Sequence, residues 1–305
     1  MPESNGRLVV RLHSLGDVVL ASACAAGASA FITRPEYVPV ANRFPGEAKT
    51  IPLAGGWPEL RSISRSYSEI FDLQGNLTTR LGLPDSRTRR FKTNRKLRKR
   101  VLSGENVQLP WRAEEYGKVC GLQGDPSPVL IRRSFPEKGS RTIGIVAGGR
   151  WKMKFIPDGV VAELARLFCD RMDARVLIMG GAADRERAEA ITEQCGYRNV
   201  ESAAGRGGTG DLIELIESLD LLVSPDSGPA HLAMGLGVPV QVVFTSTSPA
   251  LGFYPADFKG IYMVKELQCR PCHRHGGTRC SEGNSLCSNR LVPSDMFRRA
   301  QWLMQ

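Results

Sequence analysis

The stretch SPDSGPAHLAMGLGVPV, residues 224–240, holds three side chains capable of chemistry: Asp226, Ser227 and His231. These are the residue types of a hydrolase triad, but three residues so close around one helix start cannot line up as acid, base and nucleophile, and no G-x-S-x-G elbow is present. Gly228 and the following proline instead favour a helix start directly after an apolar strand. Such a start offers free N–H groups and a positive dipole end, which suits a phosphate. A buried histidine that only holds a loop is an equally common explanation of His231 alone.

Two other strand ends in the same half of the chain carry groups that bind anions or sugars. In AGGRWKMKFIP, residues 147–157, the candidates are two glycines and three cations: Gly148, Gly149, Arg150, Lys152 and Lys154. Backbone approach together with cations suits phosphate, although the spacing does not decide which lysine points inward. The third strand end, at Gly181, precedes Asp184 and Glu186. A carboxylate there is suited to a ribose hydroxyl, but acidic residues are also common at helix starts without a ligand. Three such loops predict a nucleotide site.

A fourth strand end lies near the amino terminus, where HSLGD follows RLVVRL. Its candidate residues are Ser14, Gly16 and Asp17. Asp17 is either a helix cap or a base on the opposite wall of a cleft, and the cap is the commoner role for aspartate at such a position.

The elements that must position these loops alternate between strands and helices along the chain. Strands are predicted at residues 7–12, 28–33, 69–73, 142–147, 175–179, 219–223 and 240–244, with helices of about ten to fifteen residues between many of them. A proline-rich polar segment, residues 124–141, predicts a linker. We therefore expect an α/β protein of two doubly wound Rossmann-like domains, residues 1–137 and 138–305, facing a cleft at the carboxyl ends of their strands.

The charge of the chain is unevenly distributed. The formal net charge is +10, and residues 87–100, RTRRFKTNRKLRKR, contain nine basic side chains. A run of this kind is commonly a solvated loop, but its field also favours an anionic partner. Nucleic acid is not expected as that partner, because only Phe91 is available to stack on a base. No apolar run approaches the roughly 20 residues that cross a bilayer, and no signal peptide is apparent, so we expect a cytoplasmic protein.

Four of the eight cysteines cluster in CRPCHRHGGTRCSEGNSLC, namely Cys269, Cys272, Cys280 and Cys287. Their spacing is compatible with a structural zinc ion or an iron–sulfur cluster, with His273 and His275 as spare ligands. Free thiols and disulfides are the alternatives, and a cytoplasmic location disfavours disulfides. No catalytic role is expected for this segment.

Together these motifs resemble glycosyltransferase family 9, the ADP-heptose:lipopolysaccharide heptosyltransferases and their relatives. The similar segments occur in family order: RLVVRLHSLGDVVL, FDLQGNLTTR, GRWKMKFIP, VLIMGGAADRERAEAI, DLIELIESLDLLVSPDSGPAHLAMGLGVPV and the cysteine segment. The PDSGPAHLA block is the most specific of them. The shorter segment after Asp17 and the AGG turn at residues 147–149 depart from the family pattern.

The resemblance implies a two-domain fold of the GT-B type and inverting sugar transfer without a metal at the reacting centre. It assigns Asp17 as the base that takes the acceptor proton and Lys154 as the lysine near the donor diphosphate. It also assigns Asp226, Ser227, Gly228 and His231 to the donor loop. The implied donor is ADP-heptose, and the implied acceptor is an anionic glycolipid of the lipopolysaccharide core at the inner membrane surface. The basic run, through Arg89, Arg90 and Lys92, is then expected to bind that acceptor.

Two other functions remain open at this point. The same cleft is compatible with another nucleotide-sugar, either in a transferase or in a UDP-sugar epimerase of related fold. Alternatively, the chain is a non-catalytic anion-binding relative, in which Asp17 merely caps a helix.

Overall fold

A computed structural model describes residues 6–133, 139–265 and 267–305. Their strands form two separate sheets in which every pairing is parallel. This confirms the predicted α/β fold with two doubly wound units. Within these ranges, no helix is both long enough and apolar enough to cross a membrane.

The first sheet has the strand order β3-β2-β1-β4-β5. Its strands are β1 (Arg7–Val10), β2 (Ala30–Thr33), β3 (Lys49–Pro52), β4 (Glu69–Asp72) and β5 (Thr88–Arg90). The central strands are apolar and buried on both faces because helices cover both sides, as is usual for parallel sheets.

The second sheet has the order β11-β10-β9-β6-β7-β8. Its strands are β6 (Thr142–Val146), β7 (Arg175–Met179), β8 (Val200–Ser202), β9 (Leu221–Pro225), β10 (Val240–Phe244) and β11 (Ile261–Met263). In both sheets the chain first builds outward in one direction and then returns to the other side of the first strand. The loops after β1 and β6 therefore lie at the two topological switch points, where ligands bind in folds of this kind.

Thirteen α-helices occur in the described ranges. Their bounds are α1 (Leu15–Leu20), α2 (Ser22–Ala25), α3 (Val38–Ala41), α4 (Trp57–Ser64), α5 (Leu77–Gly82), α6 (Arg95–Leu102), α7 (Arg112–Cys120), α8 (Asp158–Met172), α9 (Arg185–Cys195), α10 (Thr209–Glu217), α11 (Gly228–Gly235), α12 (Leu286–Asn289) and α13 (Pro293–Leu303). The basic run, expected as a loop, is instead divided between β5 and α6. The predicted boundary at residues 137 and 138 lies at the edge of residues 134–138, outside the described residues.

The two halves share one continuous apolar core. A single cluster of buried side chains includes Val9 and Val18 from the first half and Leu222 and Val242 from the second. Residues 129–131 join both halves by backbone hydrogen bonds, because the N–H of Leu130 donates to the carbonyl of Gly235 and the next N–H donates to a carbonyl of the first half. The halves are therefore held together over an extended surface and not by one flexible tether.

A buried ion pair adds to this contact. The guanidinium of Arg43, at the end of α3, donates two hydrogen bonds of 3.0 Å to the carboxylate of Glu217, at the end of α10. The Glu217 side chain has no solvent exposure. Removing one partner of such a pair leaves a buried charge unpaired, which is far more costly than losing a surface pair.

We predict that Glu217→Ala lowers the free energy of unfolding by about 3–5 kcal/mol, because it leaves Arg43 without its buried partner. Glu214→Ala is the matched control, since Glu214 pairs with Arg133 on the surface with both side chains more than half exposed and should cost less than about 1 kcal/mol. Urea unfolding of the wild type and both variants measures the difference. Equal losses in the two variants would contradict the structural role given to the buried pair.

Candidate active site

A cavity of about 1200 Å³ lies between the carboxyl edges of the two sheets. Its walls are the loops that follow β1, β6, β7, β8 and β9, together with Tyr37, Phe253 and residues 273–275. The loops predicted to bind anions thus meet across one space. Parallel strands account for this, because all their carboxyl ends face the same side.

The closest contact between the two walls is made by α1 and α11. A side-chain carbon added at Gly16 would lie 2.5 Å from the ring of His231, and one added at Gly228 would lie 2.7 Å from Leu15. Real carbon atoms do not approach so closely, so glycine is required at both positions if the helices are to keep this spacing. The two glycines therefore let the loop with Asp17 and the loop with His231 share one cavity.

Asp17 lies in the first turn of α1, after Ser14 at the cap position. Its carboxylate accepts hydrogen bonds of 3.0 Å from the hydroxyls of Ser14 and Tyr116, and it pairs with Arg11 at 2.7 Å. The interpretation of Asp17 as a helix cap is therefore wrong, because in the described residues its side chain accepts from other side chains and not from the helix N–H groups. Burial alone would raise the pKa of Asp17, but Arg11, Arg112 and the two hydroxyls outweigh it and hold the pKa below its usual value.

Asp226 follows β9 on the opposite wall and is paired with Lys154. The Lys154 ammonium lies 2.8 Å from an Asp226 carboxylate oxygen and donates a second hydrogen bond, of 2.7 Å, to the Asp226 carbonyl. Thr247 donates to the same carboxylate at 2.9 Å. Burial acts to raise the pKa of Asp226, but Lys154 outweighs it and keeps the pKa below its ordinary value. Both groups are thus fixed as charges at the cavity wall.

His231 lies in the first half of α11 and is only 4% exposed. Its ring stacks on Tyr254 with centroids 4.7 Å apart and planes 18° apart. Within the described chain its Nδ1 atom has no hydrogen-bond partner. Burial lowers the pKa of His231 to about 4, although Asp226 and Asp17 act in the opposite direction. The imidazole is therefore neutral at physiological pH.

The other predicted donor residues divide into two groups. Gly148, Gly149, Arg150, Gly181, Ser227 and Gly228 line the cavity, whereas Lys152 and Glu186 are exposed and lie outside its lining. The carboxylate near Gly181 that does line the cavity belongs to Asp184, and it accepts a hydrogen bond of 2.9 Å from the Gly181 N–H. Ser227 is the residue before α11, but its hydroxyl bonds to Ser224 and Pro225 and does not cap the helix.

The predicted acceptor residues are also divided. Ser14 and Gly16 line the cavity, but Arg89, Arg90 and Lys92 do not. Arg90 pairs with Asp72 at 2.7 Å and with Asp85 at 2.8 Å, so its charge is already compensated at the sheet edge. Arg89 pairs with Glu69 on the surface.

Several cavity residues had no counterpart in the sequence predictions. The segment GRGGTG, residues 205–210, follows β8 and runs into the start of α10, and most of it lines the cavity. It has the G-x-G-x-x-G spacing that a search for phosphate loops could have found. Tyr37 and Phe253 carry no comparable local signal, because only the fold brings them to the cavity.

The cysteine segment packs against the same cavity. Burial, reinforced by the neighbouring thiols of Cys269, Cys287 and Cys280, raises the pKa of Cys272 to about 11. No group of three or more histidine, cysteine or acidic side chains in residues 6–133, 139–265 and 267–305 is arranged to hold a metal ion. The metal site stays a prediction, and metal analysis of the purified protein tests it.

We predict that His231 makes stability depend on pH between 6.5 and 4. Its pKa is about 6.5 in an unfolded chain and about 4 in the folded protein, so the unfolded state binds the proton more tightly. The stabilising contribution is complete above pH 6.5 and is lost as the pH falls, by an amount on the order of 3 kcal/mol. Urea unfolding across this range should be less pH-dependent in His231→Gln than in the wild type. Parallel pH profiles would refute the assignment.

Known proteins similar to this chain were found both in sequence and in structure. The model of glycosyltransferase family 9 (heptosyltransferase) matches residues 102–280. Lipopolysaccharide heptosyltransferase 1 of Pseudomonas aeruginosa is 28% identical over 165 residues, which are 54% of this chain and 42% of the relative. The chain thus spans less than half the length of this curated relative.

Solved structures share the fold over nearly the whole chain. A family 9 glycosyl transferase from Veillonella parvula has a TM-score of 0.73 at 18% identity, covering 98% of this chain and 97% of that one. E. coli ADP-heptose lps heptosyltransferase II has a TM-score of 0.69 at 18% identity, with 98% of both chains covered. The iron-containing dodecameric glycosyltransferase TibC from enterotoxigenic E. coli has a TM-score of 0.64 at 13% identity, covering 98% of this chain and 76% of that one. The matched family model covers more than half of the sequence, and the chain belongs to glycosyltransferase family 9.

Proposed function

We propose that the protein is an inverting glycosyltransferase that moves a heptose from ADP-heptose to a hydroxyl of an anionic, lipopolysaccharide-core-like acceptor, with no metal at the reacting centre. One observation carries the proposal: a single cavity has an ionised carboxylate, Asp17, on one wall and a fixed cation with a helix N-terminus, Lys154 and α11, on the other. Similarity to a lipopolysaccharide heptosyltransferase and to an ADP-heptose heptosyltransferase supports the donor and acceptor classes.

We assign the donor to the second half of the chain. Met179, Ala203 and Leu212 give an apolar part of the cavity next to the glycine loops, which suits a flat nucleobase. The diphosphate is then assigned to the start of α11, where N–H groups and the helix dipole favour an anion. Lys154 lies beside this helix start through its bond to Asp226 and adds a positive charge.

The charged groups used by the proposed reaction, Asp17 and Lys154, are already in position before a substrate binds. The acceptor hydroxyl donates a hydrogen bond to Asp17 and attacks the anomeric carbon as the bond from that carbon to the diphosphate oxygen breaks. The hydroxyl proton passes to Asp17, and the negative charge left on the diphosphate is stabilised by Lys154 and the helix N-terminus. Because Arg11 lowers the basicity of Asp17, proton transfer is expected late, when the attacking oxygen already carries positive charge.

Inversion is supported by the environment of the cavity carboxylates. A retaining double displacement needs a second carboxylate that is free to act as a nucleophile. Among the described lining residues, Asp226 is held by Lys154 and Thr247, and Asp184 is hydrogen-bonded to the Gly181 loop. Asp17 is likewise held, by Arg11, and we assign it to the acceptor. No lining carboxylate is then left as a nucleophile in the described residues, and a single displacement gives inversion.

The acceptor side of the proposal concerns partners outside the cavity. An inner-core lipopolysaccharide carries carboxylates and phosphates, which match the excess of positive charge. We assign the protein to the cytoplasmic face of the inner membrane, where it is peripheral. A structural zinc or iron–sulfur cluster on the four cysteines is retained as a hypothesis with no role in the transfer step.

We predict that Asp17→Asn lowers the rate of heptose transfer by a factor of about 10² to 10⁴, because the acceptor proton loses its base. ADP affinity should be unchanged, since Asp17 lies on the wall opposite the diphosphate site. Transfer is measured with ADP-heptose and a heptose-free inner-core lipopolysaccharide, and affinity by calorimetry. Asp125→Asn, at an exposed position outside the cavity lining, is the control. Undiminished transfer by the Asp17 variant would show that another group is the base.

We predict that Lys154→Met weakens ADP binding by about tenfold or more, the loss expected for a charged hydrogen-bond donor. Lys152→Met removes the same charge two residues earlier at an exposed position and should bind ADP like the wild type. Calorimetry measures both affinities, and circular dichroism checks that the variants are folded. Thermal-shift screening of the wild type with ADP and UDP tests the donor: stronger stabilisation by UDP would reject ADP-heptose.

A further inference from the structure

The cations around the cavity differ in whether they are paired. Inside, Arg11 is paired with Asp17 and Lys154 with Asp226. At the mouth, Arg274 lines the cavity and Arg98 lies on the neighbouring helix α6. Neither has an ion pair or a side-chain hydrogen bond to any part of the chain that the structure describes. Two cations without a partner in the described chain thus lie beside the opening of the cavity.

The helix α6 is oriented by its apolar side. Leu97 and Val101 pack with Leu251 and Phe253, and Phe253 in turn lines the cavity. Arg98 follows Leu97 and is half-buried, unlike the exposed cations before and after it. Burial, reinforced by the positive charges of Arg274, Arg112 and Arg95, lowers the pKa of Arg98. Through its packing on Phe253, α6 lies beside the cavity that Arg274 also lines.

The cysteine segment brings Arg274 to the same place. Its backbone is fixed to the second half of the chain, where the Cys272 N–H donates to the Ser246 carbonyl at 3.0 Å. Gly276 is packed so tightly that an added side-chain carbon would lie 2.8 Å from the Lys154 side chain. The ring of His275 stacks on Trp151 with centroids 6.0 Å apart and planes 6° apart. The backbone on both sides of Arg274 is therefore anchored to the second half of the chain, and Arg274 itself lines the cavity.

We propose that Arg98 and Arg274 form an anion-binding subsite for the acceptor saccharide, one arginine from each half of the chain. The proposal rests on the proposed function and replaces the sheet-edge residues Arg89 and Arg90, whose charges are already compensated. A phosphate or carboxylate of the acceptor lies between the two guanidinium groups, each of which is suited to bidentate contact with such an anion. Its charge relieves their mutual repulsion and places the neighbouring hydroxyl towards Asp17.

The test measures acceptor and donor binding separately in the full-length protein. The acceptor probe is heptose-free inner-core lipopolysaccharide in micelles, and the donor probe is ADP. Arg274→Gln and Arg98→Gln should each weaken binding of the acceptor probe about tenfold, with a smaller dependence on salt, and leave ADP affinity unchanged. In transfer assays the KM for the acceptor should rise while the KM for ADP-heptose stays constant. Arg274→Lys, which keeps the charge, should recover part of the affinity.

Two controls make the outcomes distinguishable. Arg279→Gln removes an exposed cation of the same cysteine segment outside the cavity lining and should bind like the wild type. Vesicles of phosphatidylglycerol, which carry anionic headgroups but no saccharide, should bind Arg274→Gln as well as they bind the wild type. The subsite is rejected if the wild type ignores the acceptor probe, if Arg274→Gln binds it normally, or if Arg279→Gln is equally impaired. Failure of the wild type to bind ADP would instead reject the proposed donor.

Discussion

The close contact between α1 and α11 is the constraint on which the rest of the site depends. Gly16 faces His231, and Gly228 faces Leu15, at distances that leave no room for a side chain on either glycine. Each helix starts at the carboxyl end of a central strand of its own sheet, β1 for α1 and β9 for α11, so the contact joins the carboxyl edges of the two sheets directly. Asp17 and Asp226 can belong to one cavity because this spacing is short.

Charge inside the cavity is fixed by pairing before any substrate arrives. Buried ion pairs contribute little net stability, since desolvation offsets most of their attraction. Their value here lies in orientation: Arg11 and Tyr116 hold one carboxylate, and Lys154 is held by another. Groups that are already oriented need no rearrangement when charge develops on a leaving group, which is the main source of electrostatic catalysis.

The sequence was informative where a function depends on a local pattern. The strand ends at Ala147, Gly181 and Asp226 were predicted correctly as elements, because an apolar run followed by glycine and a helix start has a local signature. The spacing did not decide between Lys152 and Lys154, which only the family resemblance distinguished, since the choice depends on the short turn that directs one of them towards Asp226. Arg90 illustrates the same limit: its partners Asp72 and Asp85 come from other elements and compensate a charge that composition alone counts as free.

Long-range packing explains why other cavity residues were not predicted from the sequence. Phe253 and Tyr37 have no pattern of their own, and the fold brings them to the cavity. The cysteine segment was expected to be purely structural, yet residues 273–275 line the same cavity. The GRGGTG segment, residues 205–210, differs from these because its glycine spacing was visible in the sequence.

The continuous core between the two sheets limits how the protein moves. Because Val9, Val18, Leu222 and Val242 belong to one buried cluster, separating the halves would expose apolar surface and break the pair between Arg43 and Glu217. A wide hinge motion is therefore costly, and substrates must enter and leave mainly through the existing opening. The same continuity makes the two sheets a single cooperative unit, so heating should melt them together in one calorimetric transition and not one after the other.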